Sequence, residues 1–408
     1  MMQRERRKKS KGNLVNQLPW QEVMTEFSAL EIISEDEIES IHHASLDVLE
    51  RVGMKILHQD ARKIFKDAGL DVDESSQMVH FDRNLVLSNI SKAPKEFTLR
   101  ARNPKRDLKI GGNHIVFSAI GGPAFCSDLD RGRRRGTFED LCNYMKIIQS
   151  LNIIHQEGGM AFETIELPSS TRHLDFYLAQ FQLLDKNCQS SSMGKVRTKD
   201  CIDMHRIAFD CTREELLENP SVMGIINTNS PMQLDIPMSE ATIELARAGQ
   251  AVCVTPFTLS GAMAPIKQAG TLVQQNAEIL AVVTLTQLVR SSAPIIYGSF
   301  STNVDMRTGS PAFGTPEYIR STIAGGQLAR FYGFPYRSSN TNASNSVDAQ
   351  AIYESGMSLW ATIMSHANLV NHAAGWLEGG LTASFEKLII DAEMLQTISE
   401  SLKPIEVN

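Results

Sequence analysis

The segment NHAAGWLEGG, from Asn371 to Gly380, brings an imidazole, an indole and a carboxylate together within ten residues. His372 can hold or move a proton near neutral pH, Trp376 can present an aromatic face to a cation, and Glu378 carries a negative charge. We expect His372 and Glu378 to be catalytic and Trp376 to bind substrate. Each side chain also has an ordinary alternative: His372 can be a structural histidine, Glu378 an acid at a helix start, and Trp376 a packing residue.

Similar side chains follow the other apolar runs of the chain. Glu157 is a third candidate catalytic residue. Arg337 is a candidate for binding an anionic group, although it can also brace its own loop. The further candidates for substrate contact are aromatic or amide side chains: Phe257, Tyr297, Phe300, Asn340 and Gln350.

The character of these side chains argues against two reaction classes and favours a third. Metal-dependent hydrolysis would need several His and Asp ligands, and phosphate-ester chemistry would need more Lys and Arg. Aromatic faces with a few carboxylates suit a cation, above all a quaternary ammonium, which cannot donate a hydrogen bond. We therefore expect a small cationic ligand and no metal site.

The elements that position these residues alternate between short strand-like runs and helical stretches. The runs predict eight strands, at residues 114–120, 152–159, 186–192, 222–228, 251–257, 294–300, 334–340 and 367–374. The third run, KNCQSSS, is polar and is predicted only from its spacing between two helices. Eight such units predict a closed (β/α)8 barrel of the TIM type, in which functional side chains lie on the loops that follow the strands.

The barrel is predicted over residues 111–408, and what precedes it has a different pattern. Residues 20–110 predict an α+β extension, with a helix between Ser34 and Gly53, a second helix at DARKIFKDAG, and strand-like alternation afterwards. Residues 1–19 start with MMQRERRKKSKG and predict a flexible basic tail.

Composition limits the environment and the partners. The chain has 408 residues and a formal net charge of −7, which argues against a general electrostatic grip on nucleic acid or anionic membranes. Its six cysteines form no CxxC pair, so we expect reduced thiols in a cytoplasmic protein. No apolar run of about 18 residues predicts a membrane span, and no GxGxxG or GxxxxGK[ST] motif follows a strand.

Three longer segments, PEYIRSTIAGGQLARFYGFPYR, VDAQAIYES and NHAAGWLEGGLTASFEKLIIDAEML, closely resemble the trimethylamine methyltransferase family of corrinoid-dependent methyltransferases. The resemblance extends more loosely through DEIESIHHASLDVLERVGMKI and the glycines around Gly121. The family continues several tens of residues beyond a segment like LKPIEVN, so we expect a C-terminal region of the family to be missing here.

The resemblance implies a barrel that transfers a methyl group from a methylated amine to Co(I) of a separate corrinoid protein. Because the sequence contains only standard residues, it looks like the members that lack pyrrolysine and act on quaternary amines such as glycine betaine. Residue type and position at the barrel mouth, rather than matched family residues, then lead us to expect that Tyr297, Phe300 and Trp376 contact the ammonium. On the same grounds Glu157 and Glu378 add negative potential, and a substrate carboxylate binds His372 and Arg337. The cobalamin is carried by the partner protein, and no cofactor is bound covalently.

Two other functions remain open at this point. One is a betaine-binding or sensing protein without catalysis, and the other is a barrel lyase that uses Glu157 or His372 as a general base. We also expect a homo-oligomer, without a sequence feature that identifies the interface.

Overall fold

A computed structural model of the protein describes residues 16–190 and 193–407. Most of the predicted basic tail, residues 1–15, therefore lies outside the described residues, as do Ser191 and Ser192 at the end of the third predicted strand.

Before the barrel, residues 16–110 contain six short strands and three helices. They are β1 (Val23–Met24), α1 (Glu35–Arg51), β2 (Met54–Ile56), α2 (Gln59–Asp67), β3 (Asp71–Asp73), β4 (Met78–His80), α3 (Arg83–Ile90), β5 (Phe97–Leu99) and β6 (Leu108–Ile110). Helix α1 begins with a capping box, because the Ser34 hydroxyl accepts from the Glu37 N–H while the Glu37 carboxylate accepts from the Ser34 N–H.

The barrel part contains the remaining elements. They are β7 (His114–Ala119), β8 (Phe125–Asp128), β9 (Gly132–Arg134), α4 (Phe138–Ser150), β10 (Gln156–Glu157), α5 (Arg172–Leu183), β11 (Asn187–Ser190), α6 (Gly194–Ala208), α7 (Arg213–Glu218), β12 (Met223–Ile226), β13 (Gln233–Leu234), α8 (Ile236–Arg247), β14 (Ala251–Val254), β15 (Leu259–Ser260), α9 (Gln268–Val289), β16 (Ile295–Gly298), β17 (Thr302–Val304), β18 (Pro311–Ala312), α10 (Pro316–Tyr332), β19 (Tyr336–Ser339), α11 (Ala349–Met364), β20 (Leu369–Ala374), β21 (Trp376–Leu377), β22 (Thr382–Ser384) and α12 (Phe385–Ser401). Two 3₁₀ turns span Pro104–Arg106 and Glu378–Gly380.

Eight parallel strands close the barrel. They pair in the order β7, β10, β11, β12, β14, β16, β19 and β20, and β20 returns to pair with β7. A helix follows each strand, so the predicted (β/α)8 fold is confirmed, and each of the eight predicted strands contains one barrel strand. Helix α7 was not predicted, although its capping box of Thr212 and Glu215 is visible in the sequence.

The third barrel strand is polar because its side chains build a hydrogen-bonded layer inside the barrel. The Gln189 amide donates to Ser118 Oγ at 2.9 Å, Gln156 Oε1 at 3.0 Å and Asn371 Oδ1 at 2.7 Å. Asn187 Oδ1 accepts from Gln156 Nε2 at 2.6 Å. Because Ser118, Gln156 and Asn371 lie on other barrel strands, this layer satisfies buried polar groups that an apolar interior would leave unpaired.

The N-terminal extension covers one flank of the barrel. Helices α1, α2 and α3 pack on α9, and β2 pairs with β13. Helix α9 is consequently buried on all sides from Gln274 to Gln287, which is the pattern of a helix between two layers. The β5–β6 hairpin lies under the barrel, where its Leu99 and Ile110 join the apolar cluster of Val116, Met223 and Leu369.

Candidate functional site

The candidate site lies where strands β19 and β20 end side by side. Ser339 on β19 is aligned with Asn371 on β20, and this register brings Arg337 and His372 together, with Arg337 Nη2 3.3 Å from His372 Nε2. The two residues are 35 positions apart in the chain. The positions of Arg337 and His372 agree with the rule that functional residues of a β/α-barrel lie at the C-terminal ends of its strands.

Arg337 is a buried cation that has no anionic partner among the described residues. Its side chain is 2% exposed, and its neighbours on β19 fix its direction, since Tyr336 points outward and donates to the Thr322 carbonyl of α10. Arg337 therefore points into the barrel. Among residues 16–190 and 193–407, neither its Nε nor its Nη1 has a hydrogen-bond acceptor, and no carboxylate there forms an ion pair with it. Burial lowers the pKa of the guanidinium from its usual value.

His372 occupies an unusual backbone conformation at an irregularity of β20. Its φ is +52°, and the pairing of β20 with β7 shifts register between Val370 and Ala374. Such conformations are uncommon for residues other than glycine and cluster at functional sites. The bulge turns the imidazole toward Arg337 instead of leaving it in the regular alternation of the strand.

The imidazole of His372 is neutral, and a hydrogen-bond donor faces each of its two ring nitrogens. Burial and the charge of Arg337 hold the pKa of His372 well below its usual value. The Gly121 N–H is 3.5 Å from Nδ1, while Arg337 Nη2 is 3.3 Å from Nε2. A neutral imidazole has only one lone-pair nitrogen, so one of these two contacts is left without an acceptor.

An aromatic wall stands over these two residues, with Phe300 at its centre. The Phe300 ring centroid is 5.9 Å from that of Trp376 and 6.1 Å from that of His372, and the Arg337 guanidinium carbon lies 5.1 Å from it. The remaining rings that pack on Phe300 are Phe257 at 5.3 Å, Phe313 at 5.5 Å and Tyr318 at 6.4 Å. The structure thus brings the expected Phe257, Phe300, Arg337, His372 and Trp376 into one cluster.

Phe313 and Tyr318 are members of this wall that the sequence analysis missed. They lie just before α10 and in its first turn, more than ten residues after the end of the barrel strand β16. The candidate residues were those that directly follow each predicted barrel strand, and Phe313 and Tyr318 do not. The available signal in the sequence was the pair of aromatic residues that flanks the start of helix α10.

Hydrogen bonds fix the orientation of Trp376. Its indole N–H donates to the Asn342 carbonyl at 2.9 Å, and the Asn342 amide donates to the Trp376 carbonyl at 2.7 Å. Asn340 has a similar bracing role, since its amide donates to the Ala373 carbonyl at 3.1 Å and its Oδ1 accepts from Ser358 at 3.3 Å. Asn340 was expected to contact substrate, but the polar atoms of its side chain form hydrogen bonds within the protein.

Glu157 was expected to be catalytic, but its carboxylate is occupied by its own loop and by α5. It accepts from the N–H groups of Gly159 at 2.8 Å and Met160 at 3.0 Å, and from Gln180 Nε2 at 2.6 Å. It is fully buried, and burial raises its pKa to about 7 in spite of these three donors. The structure therefore places Glu157 behind the strand and not beside His372, because Gln156 is the residue of β10 that points inward.

Glu378 also lies apart from the cluster. Its carboxylate pairs with Arg133 Nε at 2.6 Å and accepts from Thr382 Oγ1 at 2.5 Å, at the partly exposed sheet formed by β8, β9, β21 and β22. Its backbone N–H donates to the Ser344 carbonyl. The expected negative potential of Glu378 is consequently neutralised by a neighbouring guanidinium.

Two further expected contacts are placed elsewhere. Tyr297 is on the outer face of β16, where its hydroxyl donates to Asn276 of α9 at 3.1 Å and its ring packs on Tyr332 and Tyr336. The inward residues of that strand are its neighbours, Ile296 and Gly298. Gln350 is exposed on the first turn of α11 and donates to Glu354 at 2.9 Å.

The described residues contain neither a candidate metal site nor a membrane-spanning helix. Within residues 16–190 and 193–407, no three His, Cys, Asp or Glu side chains are grouped so that they could hold a metal ion. No helix in the same ranges has the length and apolar character needed to cross a membrane.

Comparison with known proteins adds an independent line of evidence. The sequence model of the trimethylamine methyltransferase (MTTB) family matches residues 2–408. The chain is 37% identical over 373 residues to a glycine betaine methyltransferase of Desulfitobacterium hafniense strain Y51, which covers 91% of this chain and 77% of that protein. It is 30% identical over 377 residues to a trimethylamine methyltransferase MttB of Desulfitobacterium hafniense strain DSM 10664 / DCB-2, covering 92% and 75%.

A solved structure supports the fold. The crystal structure of the Methanosarcina barkeri monomethylamine methyltransferase (MtmB) aligns with a TM-score of 0.59 over 93% of this chain and 76% of that one. Its sequence identity is only 11%, so this likeness concerns the fold alone. The two sequence relatives and the family match over nearly the entire chain lead to one conclusion: this protein belongs to the trimethylamine methyltransferase family and is a methyltransferase.

Proposed function

We propose that this protein takes a methyl group from a betaine, a quaternary amine that carries a carboxylate, and transfers it to Co(I) of a separate corrinoid protein. The observation that carries the proposal is the buried, unpaired guanidinium of Arg337 beneath an aromatic wall. The relative from Desulfitobacterium hafniense strain Y51, a glycine betaine methyltransferase, agrees with it.

The anionic end of the substrate is assigned to Arg337 and His372. Leaving a charged donor buried and unpaired costs several kcal/mol, so a fold that keeps Arg337 favours an anion as its missing partner. A carboxylate matches the fork of guanidinium N–H groups. If the carboxylate also accepts from His372 Nε2–H, then His372 Nδ1 is free to accept from Gly121, and both strained contacts of the imidazole are relieved.

The cationic end is assigned to the aromatic wall. Phe300, Trp376 and Phe257 offer ring faces to a quaternary ammonium, which is held by cation–π attraction of about 0.5–2 kcal/mol per ring. The Arg337 guanidinium carbon already lies 5.1 Å from the Phe300 ring centroid, and this contact supports a cation-binding role for the ring. The carboxylate deep in the barrel and the ammonium above it would direct the methyl groups toward the mouth.

The reaction needs positioning rather than a proton. Co(I) of the partner supplies the nucleophile for the methyl carbon. The C–N bond breaks with its electron pair on nitrogen, so the leaving group is a neutral tertiary amine that requires no general acid. The residues of this chain hold the nitrogen and the methyl carbon in line, which is a proximity effect, and the aromatic wall excludes water from the ammonium.

This division of labour removes Glu157 and Glu378 from the catalytic roles expected of them. Each carboxylate is saturated by donors of its own loop or hairpin. Neither is within the cluster of Arg337 and His372, so we propose that both support the structure of the mouth.

The test is a methyl-transfer assay with the corrinoid protein in its reduced state. Glycine betaine, proline betaine, carnitine and trimethylamine are supplied separately, and the demethylated amine is measured by NMR. We expect demethylation of a betaine and little reaction with trimethylamine, which has no carboxylate for Arg337. Preferential demethylation of trimethylamine would contradict the carboxylate assignment.

The other two functions are separate outcomes of the same experiment. Betaine binding measured by calorimetry without demethylation in the presence of the reduced corrinoid protein would identify a binding protein. Turnover of a betaine without any corrinoid protein would identify a lyase or a hydrolase. Either result would overturn the proposal.

A further inference from the structure

A buried ion pair on helix α12 contacts the end of the bulge that carries His372. Lys387 and Asp391 are four residues apart, both side chains are 0% exposed, and the ammonium of Lys387 contacts the carboxylate of Asp391. Neither residue belongs to the cluster of Arg337 and His372, and neither has a part in the proposed methyl transfer. The contacts that the pair makes with the bulge therefore indicate what it does.

The carboxylate of Asp391 holds the backbone where the bulge ends. Its Oδ2 accepts from the Gly375 N–H at 2.9 Å, and Gly375 directly follows the register shift between Val370 and Ala374. The φ of Gly375 is +97°, and a Cβ at this position would lie 2.0 Å from the Tyr144 hydroxyl. Gly375 is therefore fixed by a charge-assisted hydrogen bond and confined by the Tyr144 side chain.

The ammonium of Lys387 is linked to the next residue, Trp376, by a second route. Lys387 Nζ donates to Ser355 Oγ of α11 at 2.8 Å, and the same oxygen accepts from Asn342 Nδ2 at 3.2 Å. Asn342 also holds Trp376, because its amide donates to the Trp376 carbonyl at 2.7 Å and its carbonyl accepts from the indole N–H at 2.9 Å. One ion pair therefore reaches both Gly375 and Trp376.

Stability is a weak reason for burying these two charges. Replacing a buried ion pair by apolar side chains of similar volume is often neutral or stabilising. A second buried lysine has a different set of partners: Lys186 Nζ donates to the carbonyls of Ile148, Leu151 and Ile154 at 2.6, 2.7 and 2.7 Å. Lys186 thus fastens the backbone at the N-terminal end of β11, whereas the contacts of Lys387 lead to a residue of the candidate site.

We propose that Lys387 and Asp391 are positioning residues that hold the Trp376 indole where it meets the ammonium of the substrate. The indole and His372 ring centroids are 4.9 Å apart. Because Trp376 is assigned to the ammonium, the inference rests on the proposed betaine demethylation. The substrate carboxylate is held separately by Arg337, so a displaced indole leaves this anchor intact and changes the direction of the methyl groups. A misplacement of about 1 Å can cost about 10²-fold in rate.

Two double variants remove both charges and differ only at position 391. Lys387→Met, Asp391→Leu leaves the Gly375 N–H without its acceptor, whereas Lys387→Met, Asp391→Asn keeps an amide oxygen for it. We expect the first to lower kcat for betaine demethylation by about 10- to 100-fold and to change KM less than about threefold. The second should keep kcat within about threefold of wild type, because position and not charge is required. Lys186→Met is the matched control, which should melt at a lower temperature with unchanged kcat and KM.

The fluorescence of Trp376 tests the positioning role without the reaction. The chain has three tryptophans, so Trp20→Phe, Trp360→Phe leaves Trp376 as the only indole. Its side chain is 5% exposed, and acrylamide should therefore quench it slowly. In this background we expect Lys387→Met, Asp391→Leu to raise the quenching constant by about threefold or more, since a released segment opens more often. Lys387→Met, Asp391→Asn should stay near the wild-type constant.

A second variant covers the case in which Lys387→Met, Asp391→Leu does not fold. Ser355→Ala cuts only the route from Lys387 to Asn342 and should lower kcat by about three- to tenfold. Ser365→Ala removes another buried hydroxyl at the end of α11, which donates to the Thr362 carbonyl at 2.7 Å, and should leave kcat unchanged. Circular dichroism and thermal melting show which variants are folded.

The proposal is overturned if the folded variants keep either the wild-type kcat or the wild-type quenching constant. It is equally overturned if Asp391→Asn is as impaired as Asp391→Leu, since charge rather than position would then be required. If wild type is inactive toward every betaine, the proposed function fails, and the quenching constant alone decides whether the ion pair positions Trp376.

Discussion

Glu157 and Arg337 are both buried charged residues at the C-terminal end of the barrel, yet their surroundings differ completely. The Glu157 carboxylate has three donors, two from the backbone of its own loop and one from Gln180. The Arg337 guanidinium has one strained contact with His372, and its Nε and Nη1 have no acceptor in the described chain.

The comparison separates a structural charge from a functional one. Burying a charge is costly unless the fold supplies partners. A carboxylate whose partners are built in holds its loop in place, whereas a guanidinium whose partners are absent is a site for an external anion. On this basis we expect Glu157 to contribute mainly to stability and Arg337 mainly to ligand binding.

Replacing Arg337 is the strongest way to break this comparison. In Arg337→Met we expect kcat/KM for betaine demethylation to fall by about 10³-fold, because two charge-assisted hydrogen bonds of about 1.5–3 kcal/mol each are lost. The free energy of unfolding should stay the same or rise, since an unpaired buried charge is removed. Arg337→Lys keeps the charge without the fork and should recover part of the activity.

Steady-state kinetics and denaturant unfolding measure the two quantities. A variant Arg337→Met that is destabilised by more than about 2 kcal/mol while its kcat/KM is retained would show that the guanidinium is structural after all.

Replacing Glu157 should have the opposite profile. Glu157→Ala removes the acceptor of the Gly159 and Met160 N–H groups and leaves Gln180 Nε2 only the Gln189 carbonyl at 3.4 Å. It should lower the free energy of unfolding by about 3 kcal/mol, with kcat/KM of the folded fraction changed less than about threefold. Glu157→Gln should be milder, because Gln180 Oε1 has no partner in the described chain and can accept from the new amide. A large loss of kcat/KM in a stable Glu157→Gln would instead identify a catalytic acid or base.

The pH dependence of stability sharpens the same prediction. Because the pKa of Glu157 is raised from 4.5 to about 7 in the folded protein, the folded state keeps a proton that the unfolded state releases. The contribution of Glu157 is fully present below pH 4.5 and is lost as the pH rises to about 7, by up to about 3 kcal/mol. Denaturation midpoints from pH 5 to 8 should show this loss in wild type and not in Glu157→Gln.

A smaller effect extends the comparison to two aromatic rings at the end of one strand. Phe300→Leu removes a ring face and should raise KM for a betaine by about tenfold. Its free energy of unfolding should stay close to that of the control variant Phe313→Leu, which removes another ring of the same aromatic wall. Tyr297→Phe removes the hydrogen bond to Asn276 and should cost about 1 kcal/mol of stability with an unchanged KM. A raised KM with unchanged stability in Tyr297→Phe would instead indicate that Tyr297 contacts the substrate.

Sequence patterns were sufficient for the order of the barrel strands and for part of the site. The alternation of short runs and helices predicted all eight strands, including the polar β11, because connection length and helix spacing constrain a closed barrel strongly. His372, Trp376, Phe300, Phe257 and Arg337 were expected in the site from their residue type and their position after a strand, and the structure brings them together.

The face of the strand on which a residue lies was not predictable. Barrel strands are buried on both sides, so inward and outward residues have the same apolar or polar character. Tyr297 and Arg337 both looked like mouth residues, yet one points to α9 and the other into the barrel. On β20, the positive φ of His372 and the bulge interrupt the alternation of inward and outward side chains. Neither feature has a clear signature in the sequence NHAAGWLEGG.

By itself, the sequence determined the fold class, the order of the strands and the family resemblance, because these depend on spacing and on local motifs. Only the tertiary structure decided which charges are satisfied. The partners of Glu157 are the N–H groups of Gly159 and Met160 and the amide of Gln180, whereas Arg337 meets an imidazole 35 residues away. Hydrogen bonding depends on distances between elements that are remote in the chain, and those distances exist only once the barrel has closed.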